Sequence, residues 1–191
     1  IIVTHHPAIY RPIYNLKGDD AILTCAKEKI SVISMHLNLD CAKEGIDHFL
    51  AKGLGGEKIE ILDVLGDGVG YGRIYSVDTT ANDVYSNYKR TFNTDKVLLY
   101  GENDTKITKI ASFCGAGLDY AEIESAIKNG AQMVVSADIS HHVLLRAIES
   151  GLSVLNCSHY SSENYGMKKV AEYFGKKLNE KIFCFDDKRF S

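Results

Sequence analysis

The run ITKIASFCGAGLDYAEIESAIKNGAQMVVSADISHHVLLRAIESGLSVLNC, residues 107–157, decides the fold class. Apolar, β-forming segments at 107–114, 131–136 and 153–157 alternate with segments of helical periodicity at 119–128 and 141–150. Strand and helix alternating at this spacing build crossover units, which lay their strands parallel and cover them with helices. A further helix over 162–177 and a last strand over 182–185 continue the pattern. The spacing therefore predicts an α/β architecture whose sheet is mainly parallel here.

Upstream, the segments 59–65 and 70–77 flank Gly66-Asp67-Gly68 and read as a hairpin, an antiparallel addition to the sheet. Thr79 is placed to cap a helix through Phe92, with Val84, Tyr88 and Phe92 on one face, and 96–100 reads as a strand. Nearer the start, helices are expected over 19–29 and 41–52, and strands over 31–35 and over Ile1 to Thr4. The first strand runs into His5-His6-Pro7. Adjacent strand residues point to opposite faces, so both imidazoles can reach one cluster only if the strand is already turning at Thr4, and Pro7 favours such a break.

A chain of 191 residues with 45% apolar content can bury a core, in one domain or in two lobes. Its net charge of −3, without long runs of either sign, gives no electrostatic footprint for nucleic acid or an anionic membrane. No apolar run approaches the roughly 18 residues needed to span a bilayer, and a cytoplasmic location is expected. Five cysteines, widely spaced and without a Cys-x-x-Cys pair, argue against a disulfide framework or a zinc finger. The chain opens on Ile1 within a predicted strand, and residues before it are expected.

A faint internal repeat relates His36 and Asp40, which follow one predicted strand, to His159 and Glu163, which follow another. Thr4-His5-His6 is echoed by Ser140-His141-His142. Two halves related by a pseudo-twofold would bring the two crossings together. Imidazole and carboxylate ligands at the carboxyl ends of strands suit Zn, Fe, Mn, Ni or Co, and a carboxylate bridging two ions is the usual two-metal arrangement. Unrelated loop residues are the competing reading of the same spacing.

The motifs Thr-His-His-Pro (4–7), His-Leu-Asn-Leu-Asp (36–40), Cys-Gly-Ala-Gly (114–117), Ser-Ala-Asp-Ile-Ser-His-His (136–142) and His-Tyr-Ser-Ser-Glu (159–163) together resemble the NIF-three-like proteins, type 2 homologues of GTP cyclohydrolase I. The resemblance covers essentially the whole chain. It implies a two-lobed α/β fold of mixed sheets, a homohexamer, and two divalent ions between the lobes held by His5, His6, Asp40, His159 and Glu163, with Glu163 as the bridge. On this basis the lobes are drawn as 1–65 plus 151–191 for the metal site, and 66–150 for the second. The sequence departs from the family in lacking a strand-helix unit before the paired histidines, and in carrying Ala137 where glycine is usual.

Weaker candidates are His36, and His141 with His142, as residues behind the ligands or contacting substrate. Gly115-Ala116-Gly117 is a candidate phosphate cradle, although a tight turn explains it equally. The leading functional expectation is a metal-dependent hydrolase of a nucleotide or related phosphorylated small molecule, with Asp40 and Glu163 holding the ions and accepting the proton. A non-catalytic metal-binding or adaptor protein is the alternative. Anionic groups such as phosphate are the expected ligands, and the aromatic segment 71–92 is a candidate contact surface between subunits.

Overall fold

The computed structural model describes residues 1–190, which divide into two compact units, 1–39 and 40 onwards. In the first unit, β1 (Ile2–Thr4) lies parallel to β2 (Val32–Ser34), with Thr4 opposite Ser34, and α1 (Ala21–Lys27) lies on the connection. Asp20 caps α1 by accepting from the Ile22 amide at 2.9 Å. A two-stranded parallel sheet covers little surface, and Ile2, Val3 and Ile33 remain 41–47% exposed. After β2 the chain makes a single helical turn, α2 (Leu37–Asp40), and enters the second unit.

That unit is built on a six-stranded sheet of order β3-β4-β6-β7-β8-β5. The strands are β3 (Glu57–Gly66), β4 (Val69–Thr80), β5 (Val97–Tyr100), β6 (Lys106–Ser112), β7 (Met133–Ala137) and β8 (Ser153–Cys157). The expected parallel arrangement holds for β6, β7 and β8, while β3–β4, β4–β6 and β5–β8 pair antiparallel. The sheet is therefore mixed. Only the connections that contain a helix crossing, α5 (Tyr120–Lys128) and α6 (His141–Glu149), keep their strands parallel, as chain geometry requires. β7 is buried along its whole length, which explains its unbroken apolar reading.

Alternation along the strands splits the core between two faces. Ile74, Ala111, Val134 and Val154 pack with Ile123 and Ala126 of α5 and Val143 and Ala147 of α6. Their neighbours Met133, Val135 and Leu155 point the other way. The remaining helices are α3 (Ile46–Gly53), α4 (Ala81–Phe92) and α7 (His159–Leu178). Their core includes Ile46, Leu50, Val84, Tyr88 and Val170, with Tyr88 stacked on Phe92 at 4.2 Å and Phe92 against Tyr165 at 4.9 Å. Tyr75, Tyr88 and Phe92 are thus buried in this unit's own core, whereas Tyr71 and Tyr85 of the same segment are half-buried.

Several boundaries differ from expectation. The hairpin closes through Gly66, Asp67 and Gly68, all at positive φ. α4 is capped by Thr80, whose hydroxyl accepts from the Asp83 amide, and not by Thr79, which is still in the ladder opposite Ile107. The helix expected from 41 begins only at Ile46, because 41–45 makes turns ahead of it. α7 starts three residues early, at His159, with Ser158 as its cap. Residues 182–185 form no strand. Phe183 and Phe185 are exposed, and this segment is tied to α7 by Asp186, which accepts from Tyr160, Asn164 and Lys168. The lobes drawn from sequence are also redistributed: a boundary between 65 and 66 cuts the β3–β4 hairpin, and strands from both expected lobes share one sheet.

Candidate functional site

In the first unit the candidate residues sit where two parallel strands end. β1 stops at Thr4 and the chain bends at His5 and His6, while His36 follows β2 by two residues. The bend lets both adjacent histidines turn to one side. The rings of His5, His6 and His36 converge with centroids 4.9–5.2 Å apart, and one ring nitrogen from each lies within 4.8 Å of the others. His36 thus joins His5 and His6 in one imidazole cluster. His5 is buried, and its Nδ1 lies 2.9 Å from the Met35 carbonyl. A carbonyl only accepts, so Nδ1 carries a proton, and in the neutral ring Nε2 is then the nitrogen that can bind a metal.

In the second unit, Asp40 is buried and accepts from the Cys114 thiol at 3.3 Å. Residue 115 then passes directly over the start of α7, where His159 and Glu163 lie one turn apart, with Nε2 to Oε1 at 2.9 Å. Gly115 has φ +54, and a Cβ there would collide with Glu163 Oε1 and stand 3.1 Å from His159 Nε2. Glycine is needed here both for the left-handed backbone and for the close approach. Its amide donates to Ser162 Oγ at 3.0 Å, and its carbonyl accepts from the Ala137 amide and Ser136 hydroxyl, which fixes the loop to α7 and β7.

Beneath this loop lies a buried ion pair that the sequence reading overlooked. Asp47 on α3 accepts from the Cys114 amide at 2.7 Å and the Gly72 amide at 2.8 Å, with Arg73 Nη1 at 4.0 Å. Arg73 donates onward to the carbonyls of Gly70, Gly72 and Ala42. Burial pushes both groups towards their neutral forms, and the hydrogen bonds with their mutual attraction oppose it. The pair ties the segment carrying Asp40 and the Cys114–Gly115 loop to β4.

The electrostatics of the second cluster are set by carboxylates. The His159 imidazole is raised to about 9, first by its hydrogen bond to Glu163 and also by Asp138, whose Oδ2 lies 2.7 Å from Nδ1. Burial pushes the Cys114 thiol well up, with Asp47 and Asp40 adding to the effect, so it is a hydrogen-bond donor at neutral pH and not a nucleophile. Asp138, like Asp47 and Arg73, is not singled out by the sequence. It lies inside a quoted motif, but its significance rests on a spatial neighbour 21 residues away.

Other candidates fall elsewhere. His141 and His142 are exposed on the first turn of α6, where His142 approaches Ser140 and stacks 6.0 Å from Tyr120. Gly115-Ala116-Gly117 does not open a helix: α5 begins at Tyr120 behind a capping box in which Asp119 already places a carboxylate at the amides. His48 is half-buried on α3. The donor set nonetheless fits borderline divalent ions, for which imidazole nitrogens and carboxylate oxygens are suitable ligands.

A GTP cyclohydrolase 1 type 2 homolog of Clostridium acetobutylicum is 28% identical over 172 residues, covering 85% of this chain and 63% of the relative. A NIF3 homolog of Schizosaccharomyces pombe is 29% identical over 186 residues, covering 88% of this chain and 65% of the relative. The chain thus spans under two thirds of the length of these two relatives. Among solved structures, hypothetical protein SA1388 of Staphylococcus aureus superposes with a TM-score of 0.86 over 100% of this chain and 79% of its own, at 24% identity, a likeness of fold. The model of the Duf34/NIF3 family (NGG1p interacting factor 3) matches residues 1–189, and the chain belongs to that family.

Proposed function

We propose that this chain binds two divalent ions, with His5, His6, Asp40, His159 and Glu163 as the residues that would hold them and Glu163 as the bridge, and that it hydrolyses a nucleotide or a related phosphorylated small molecule. The observation that carries the reading is the His159–Glu163 pair at 2.9 Å, backed by a glycine that leaves no room for a side chain. An imidazole and a buried carboxylate held this close present nitrogen and oxygen donors to one point. The relatives named as GTP cyclohydrolase 1 type 2 homologs support a nucleotide as substrate. The homohexamer implied by the family resemblance belongs to the same proposal.

Divalent ions of this class supply Lewis acidity. The chain's own residues account for the rest. Three neutral imidazoles and two carboxylates leave a doubly loaded cluster net positive, which draws an anionic phosphoryl group to it. Glu163 already accepts the proton of His159 Nε2 and is the group best placed to take one during hydrolysis. Cys114 orients the Asp40 carboxylate. Fully loaded protein should hydrolyse at least one member of a panel of nucleotides, pterin precursors and phosphomonoesters. Chelator and Asp40→Ala should abolish turnover, and inorganic phosphate should compete. Turnover no higher than that of Asp40→Ala on every compound would remove the enzyme reading and leave metal binding standing.

Proton competition gives a second expectation. In the metal-free protein His159 is held protonated up to about pH 9, above its ordinary 6.5. This raised value stabilises the metal-free fold fully below pH 6.5, and the contribution disappears as pH rises through 9. Metal must displace that proton, so apparent affinity should rise about tenfold per pH unit across this window and level off above it. Isothermal titration in buffers of different ionisation enthalpy should count one proton released at pH 7.5, and no release would contradict the pairing.

A further inference from the structure

We propose that Asp138 is the positioning residue for His159, the carboxylate that fixes the tautomer and direction of this imidazole so that Nε2 is offered to a divalent ion. The inference rests on the metal-binding reading above and adds to it a residue outside the proposed ligand set. Asp138 Oδ2 lies 2.7 Å from His159 Nδ1, and a carboxylate accepts only, so the proton stays on Nδ1 when Nε2 gives its lone pair to a metal. Carboxylate behind histidine behind metal is a recurrent chemical arrangement because the second anion makes the imidazole a stronger donor.

Two further observations separate this contact from an ordinary surface ion pair. Asp138 stands at the first residue beyond β7 with φ +48, a left-handed conformation that Asp accepts more readily than most residues and that turns the chain out of the strand. The strand registers give the second. In the first unit the last pair is Thr4 with Ser34, His5 comes next after one strand, and His36 stands two residues after the other. In the second unit the last pair is Ala137 with Cys157, Asp138 comes next, and His159 stands two residues on. Each crossing therefore sets a side chain from the first strand's end against a histidine beyond the second. The slot filled by an imidazole in one is filled by a carboxylate in the other.

The test is a Co(II) titration of the full chain, reading affinity by competition with a chromophoric chelator and the visible absorption bands of the bound ion. Asp138→Gly removes the carboxylate and accepts the positive φ, so its melting temperature in chelator should fall only slightly, by the lost attraction of a half-exposed pair. It should bind Co(II) about ten- to a hundredfold more weakly and with altered bands. Asp138→Asn, which also tolerates this backbone, should weaken binding because its amide can donate to Nδ1 and move the proton onto Nε2. In a His159→Ala background Asp138→Gly should cause no further loss, since the residue acts through the imidazole. If the parent binds Co(II) and both variants bind within twofold of it, the role of Asp138 is overturned and the metal-binding reading stands. An undiminished further loss in the His159→Ala background would show Asp138 acting independently and would also overturn it. A parent that binds no Co(II) would remove the metal-binding reading itself.

Discussion

Glu163→Ala should strip the protein of metal, taking the content from the proposed two ions per chain to near zero, because on that proposal its carboxylate would serve both ions. The side chain is buried and lies against His159 and the backbone of Gly115, and shortening it to a methyl removes both of its oxygen donors. Its loss also removes the largest cause of the raised His159 basicity, so that imidazole should titrate closer to its ordinary value. Elemental analysis of desalted protein, with His5→Ala alongside, checks the assignment. His5→Ala should weaken one ion and spare the other. Retention of one full equivalent by Glu163→Ala would show that Glu163 does not bridge. Affinity for any ion that remains should fall by more than about 100-fold, beyond what loss of an outer hydrogen-bonding partner causes.

The second large effect concerns stability. Asp47→Ala should cost about 3–5 kcal/mol, the range for removing one member of a buried ion pair. Arg73 would be left 1% exposed without its carboxylate, and the buried amides of Cys114 and Gly72 would lose their acceptor. For a chain of this size that corresponds to a fall in melting temperature of roughly 10 °C. The double variant Asp47→Leu with Arg73→Met should recover part of the loss, since no charge is then stranded. Thermal unfolding in chelator separates this from any metal effect. A change below about 1 kcal/mol in Asp47→Ala would mean that the carboxylate is not holding the two segments together.

Both predictions concern residues of very different visibility in the sequence. Glu163 stands four residues after His159 and follows a strand, a local pattern that spacing alone brings out. Asp47 looked like one more polar residue on an amphipathic helix. Its partners are 25, 26 and 67 residues distant, at Gly72, Arg73 and Cys114, and nothing in local periodicity points to them. Asp138 went unnoticed for the same reason: an acid at the end of a strand is ordinary until His159 is brought beside it by the pairing of β7 with β8.

What the sequence by itself determined was the succession of elements from β3 to α7 and the nature of the candidate ligands. Apolar periodicity, the Gly-Asp-Gly turn and the helix caps are local, and each acts within a few residues. The tertiary structure alone decided that the sheet is mixed, because strand direction follows from which segments become neighbours, and β4 takes its place beside β6 and β5 beside β8. It decided that 182–185 joins no sheet and instead runs along α7. It placed His36 within the imidazole cluster and left His141 and His142 at the surface. It also gave Gly115 its reason, a backbone pressed against Glu163 and His159 from 44 or more residues away. Burial, partners and proton affinity are properties of neighbours in space, and only the folded chain supplies them.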